Sequence, residues 1–66
     1  MPGLREVIFE FYRVGAYVKV SAVDPVTCIE VQIMGPANAG REPLERIALR
    51  KLRRAIENQR RAPPAL

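Results

Sequence analysis

Arg46, Arg50 and Arg54 follow one another at four-residue spacing, with Arg53 beside them and Arg60 and Arg61 one to two turns on. On a helix, residues three and four apart are neighbours, so these side chains form one cationic column. Like charges in that register cost a helix about 0.2–0.5 kcal/mol per pair. Glu57 relieves part of that cost, through Arg53 and Arg61. A column of this kind suits phosphates lying along the helix, or an acidic protein. It equally suits a solvated face, because charge of this kind serves solubility as well as binding. Reading of specific bases has less support. Asn58 and Gln59 stand only near the helix end, and no strand aromatics form an RNA platform.

Catalytic chemistry has little material. The chain has no histidine, so the commonest general base is missing. Cys28 is the only cysteine, and an activated thiol needs an electropositive niche. Ser21 has no identifiable base beside it. Glu6, Glu10 and Glu30 fall on one face of a sheet, where Arg13 and Lys19 offer cross-strand partners. Three acceptors with no fourth ligand make a poor cation site. One thiol without histidine cannot build a zinc site. The expectation is a non-enzyme with no cofactor, no metal and no disulfide.

The charge is uneven. Residues 41–61 hold eight Arg or Lys against three Glu, whereas residues 1–40 hold three basic residues against four acids. Arg outnumbers Lys nine to two beside much Ala, Pro and Val, a balance that GC-rich codons also produce. No charged start leads into an apolar run, and no apolar stretch approaches the ~20 residues of a membrane span. The composition suits a soluble cytoplasmic protein that does not enter membranes. A membrane-surface role for the basic helix is weakened by its small apolar face, which the sheet needs for its own core.

Three period-two stretches precede the helix. Leu4 to Val14 alternates Val7, Phe9, Phe11 against Glu6, Ile8, Glu10, Tyr12, and Gly15 breaks it as a turn residue. Ala16 to Val23 alternates Ala16, Val18, Val20, Ala22 against Tyr17, Lys19, Ser21, Val23. Asp24-Pro25-Val26-Thr27 carries turn chemistry, and Cys28 to Met34 is the third strand with Ile29, Val31 and Ile33 on one side. Such short links imply an antiparallel meander.

Gly35 to Gly40 leads to a helix with Pro43 at its first position and an apolar stripe of Leu44, Ile47, Ala48, Leu52, Ala55 and Ile56. Asn58 offers a stop. Two glycines before a helix resemble a phosphate cradle, with Arg41 as its cation, but the loop lacks the Gly-Lys-Ser/Thr ending. The fold expected is α+β, a β-β-β-α domain over residues 1–61 with a frayed tail at 62–66.

The stretches Glu6 to Phe11 (EVIFEF), Gly15 to Asp24 (GAYVKVSAVD) and Gly35-Pro36 through Arg41 resemble a family of small uncharacterised alphaproteobacterial proteins. The resemblance covers residues 5–56. It implies a bacterial source and no activity, and it supplies no functional residues. The family usually has glycine where this chain has Cys28, a departure that bears on the turn.

Ile8, Tyr12, Tyr17, Val23 and Met34 fall on the outer face of the sheet, where polar residues normally alternate. A small domain gains from covering such a patch. The expectation is a homo-oligomer joined sheet to sheet or edge to edge, although scattered surface hydrophobics are also normal. The expected function is a non-catalytic interaction module. The alternative is non-specific nucleic-acid binding through Arg46, Arg50, Arg53, Arg54, Arg60 and Arg61.

Overall fold

A computed structural model describes residues 6–61. Strands β1 (Ile8–Val14), β2 (Tyr17–Asp24) and β3 (Ile29–Pro36) form one antiparallel sheet in the order β1-β2-β3. A short 3-10 turn, Ala37–Ala39, leads to helix α1 (Arg41–Arg61). The expected β-β-β-α order and α+β class are therefore observed. The starting residues Leu4 and Arg5 of the first expected strand, and the tail at 62–66, lie outside the described residues.

The pairing Phe11↔Val20↔Ile33 and Phe9↔Ala22↔Val31 sets the core register. Val20, Ala22 and Val31 are buried against Leu44, Ala48 and Leu52 of α1. Val7, Phe9, Phe11, Val18, Ile29 and Ile33 pack around them, half-buried. The period-two and period-3.6 patterns therefore meet where the sequence places them. Each buried Leu of this kind stabilises by roughly 2–5 kcal/mol relative to Ala, a large share for so short a chain.

Several boundaries differ from expectation, each for a local reason. Val14 pairs with Tyr17, so Gly15 and Ala16 form a two-residue hairpin, with Gly15 at φ 61. A primed turn needs that positive φ, and Ala16 is thereby exposed in the turn rather than facing the core. Helix α1 begins at Arg41, which places Pro43 third and Glu42 inside the helix. The first four N–H groups of a helix lack partners in any case, so proline costs little there. Asn58 does not stop the helix, which continues through Arg61. Ile47 is half exposed, because the buried stripe centres on Leu44, Ala48 and Leu52 and Ile47 turns outward on the helix flank.

The turn between β2 and β3 is tied by Asp24. Its Oδ1 accepts from Val26 N at 3.2 Å, its Oδ2 accepts from Thr27 Oγ1 at 3.0 Å, and its carbonyl accepts from Cys28 N at 2.7 Å. The loop closes with Cys28 at φ 63, a left-handed residue before Ile29. Strand β3 therefore starts one residue later than expected. It also runs two residues further, through Gly35 and Pro36. Gly35 is required there, since a Cβ would overlap Leu44 Cδ2.

Candidate functional site

Register lays out the outer face of the sheet as four rows across the strands. They are Ile8–Val23–Glu30, Glu10–Ser21–Gln32, Tyr12–Lys19–Met34 and Val14–Tyr17–Pro36. Helix α1 covers β2 and β3 from the other side, so these rows face away from it. Tyr12 is 62% exposed, Met34 60%, Tyr17 56% and Ile8 49%. Val23 is half-buried and contributes less than its companions. Val14, 59% exposed, completes the apolar end of the face, and sequence reading missed it. Its place opposite Tyr17 follows only from the two-residue hairpin.

Lys19 is half-buried on this face, with its Nζ 5.8 Å from the centre of the Tyr12 ring. Cation–π contact of this kind holds the amine over β1 while its stem lies on the sheet. Ser21, in the next row between Glu10 and Gln32, is only 4% exposed, so the longer side chains around it close over it.

Lys51 of α1 donates from Nζ to the Gln32 carbonyl at 2.7 Å, which places a lysine on the backbone of β3. Charged side chains at a sheet edge discourage further strands from pairing there.

The arginine face is the second candidate surface. Arg46, Arg50, Arg53, Arg54, Arg60 and Arg61 are all exposed. Arg61 Nε lies 3.2 Å from Glu57 Oε2. Among the described residues, Arg46, Arg50, Arg53 and Arg54 have no carboxylate within ion-pairing distance. Glu42 stands in the first helical turn and Arg60 and Arg61 in the last, as the helix dipole favours.

The loop before α1 has structural uses for its parts. Gly35 admits Leu44, and Gly40 turns the chain into the helix at φ 92. Arg41 pairs with Glu45 at 3.2 Å and lies 4.6 Å from the centre of the Phe11 ring, so it covers the open side of an aromatic core residue. Cys28 is exposed in its turn, and its Sγ lies 3.9 Å from the Pro25 carbonyl. Among the described residues no three His, Cys, Asp or Glu side chains converge on a point that could hold a metal. Glu10 and Glu30 share the outer face but lie in different rows and on opposite edge strands. Among the described residues no helix is long and apolar enough to cross a membrane.

No curated protein and no solved structure matches the chain. One family model does, over residues 4–60, which takes in all three strands and nearly all of the helix. The chain therefore belongs to the family described as Domain of unknown function (DUF6898).

Proposed function

We propose that the protein is a non-catalytic interaction module that self-associates through the outer face of its sheet. The observation that carries this reading is the exposure of Tyr12, Val14, Tyr17 and Met34 in two adjacent rows. Monomeric sheets that face water usually alternate polar residues at such positions. Contiguous aromatic, Met and β-branched side chains instead resemble the centre of a protein interface. The domain is also thin, 15 Å in its smallest dimension, so a second layer would add burial that 66 residues alone supply poorly. The test is a dilution series followed by amide NMR. Shifts that move with concentration in Tyr12, Tyr17 and Met34, and stay fixed along α1, are the expected result. Shifts confined to α1, or none at all, would refute the reading.

A second reading is favoured by the arginine column, with nucleic acid or an acidic protein as partner. Four exposed arginines without carboxylate partners among the described residues give a phosphate backbone several contacts. Binding through phosphates weakens steeply with salt, whereas docking through apolar side chains does not. Fluorescence anisotropy of labelled duplex DNA and single-stranded RNA across a salt series separates the two. No binding at low salt would remove this reading.

A further inference from the structure

The outer face is not uniform, and its charges disfavour several of the ways in which two copies could overlap all four rows. The inference rests on the self-association reading above. Across the strands, the two outermost rows are mainly apolar: Ile8–Val23–Glu30 at one end and Val14–Tyr17–Pro36 at the other. Between them lie one row centred on the Lys19 cation and one bearing the Glu10 carboxylate beside the buried Ser21.

Two sheets packed face to face are related by a two-fold axis lying in the plane between them. If that axis ran along β2, β2 would lie over β2 and Lys19 would oppose Lys19 of the other copy. If it ran across the strands on the Lys19 row, the same like charges would meet. On the Glu10 row, Glu10 would oppose Glu10. Like charges facing each other in a closed interface strongly oppose association.

An axis across the strands between the two middle rows avoids all three clashes. We infer that two copies of this chain pack about that axis, with Lys19 of each lying over Ser21 of the other and its amine meeting the Glu10 carboxylate. The same operation sets Tyr12 against Glu10 of the other copy, Val14 against Ile8, and Tyr17 against Val23. Lys19 already leans toward Tyr12. Because Tyr12 is the residue brought opposite Glu10, that lean points the amine at its partner carboxylate.

The area is adequate. Three strands of about eight residues give a footprint of roughly 400 Å². Side-chain relief raises this toward the ~600 Å² per copy at which specific interfaces begin. An interface this small depends on its few central contacts, which makes the Lys19–Glu10 pair, present twice, a sensitive place to probe.

The test is sedimentation equilibrium on the full chain, with circular dichroism to confirm that each variant is folded. Lys19→Glu and Glu10→Lys, each alone, should weaken the dimer about tenfold or more, as close charge pairs at interfaces do. Mixing the two variants should restore a dimer of mixed composition, because each then meets an opposite charge. The double variant should likewise associate within about threefold of the original chain. Should one single variant fail to fold, the double variant and Glu10→Gln still report on the pair. If Tyr17→Asp abolishes a dimer that neither mixing nor the double variant restores, this axis is overturned while self-association through the face stands. If the original chain stays monomeric at about millimolar concentration, where even a weak Kd would show, both fall.

Discussion

Cys28 occupies a conformation that glycine adopts at much lower cost, and replacing it should stabilise the protein. Its φ of 63 places a side chain in the left-handed region, where an L-residue is disfavoured by about 1–2 kcal/mol. Glycine relieves that strain but loses more backbone entropy on folding, by roughly 0.5–1 kcal/mol. The thiol adds little against this, since it is exposed and its nearest acceptor, the Pro25 carbonyl, lies 3.9 Å away. The net expectation for Cys28→Gly is about 0.75 kcal/mol of added stability, the midpoint of the about 0–1.5 that these two terms span. In a domain of this size that is a rise in Tm of about 3–6 °C. Thermal melts by circular dichroism, with urea unfolding alongside, read the effect. Cys28→Ala is the control: it removes the thiol, keeps the strain, and should leave Tm within about a degree or two by the same scaling. A Cys28→Gly chain that melts lower than the original would refute the reasoning. So would an equal gain from alanine, which would place the effect in the thiol rather than the backbone.

Other substitutions probe different parts of the molecule. Gly35→Ala puts a methyl where Leu44 Cδ2 sits, and chemical denaturation should show a loss of about 1–3 kcal/mol. Leu52→Ala removes the largest fully buried side chain, and a loss of about 2–5 kcal/mol should leave much of the chain unfolded at 37 °C by circular dichroism. If any nucleic-acid binding is found, replacing Arg50, Arg53 and Arg54 together by Ala should flatten its salt dependence by about two to three phosphates, read from the slope of log affinity against log salt.

The elements were legible in the sequence because two periodicities are clean. Val7, Phe9 and Phe11 recur at every second residue, and Leu44, Ala48 and Leu52 recur on one helical stripe. Boundaries were less legible because they depend on contacts distant in the chain. Gly35 reads as part of a loop, yet it lies within β3 and is small because Leu44 lies against it. Pro43 suggested a helix start at itself, but the first turn accepts proline at any of several positions, and α1 begins two residues earlier. Ile47 belongs to the apolar pattern by spacing alone, and only the placement of α1 over β2 and β3 shows it turning outward. The outer face was partly legible. Ile8, Tyr12, Tyr17 and Met34 followed from alternation, whereas Val14 joined them only once the hairpin register was known. The resemblance made Cys28 a departure that bears on the turn, and Cys28 is the left-handed residue that closes it.

Sedimentation velocity across a concentration series reads out whether the outer face of the sheet joins copies of this chain. The expected result is a reversible shift from the 7.4 kDa monomer to twice that mass as concentration rises, lost when Tyr12 and Tyr17 are both replaced by Asp in a chain that stays folded. A chain that remains monomeric throughout, or a dimer indifferent to those two substitutions, would contradict it.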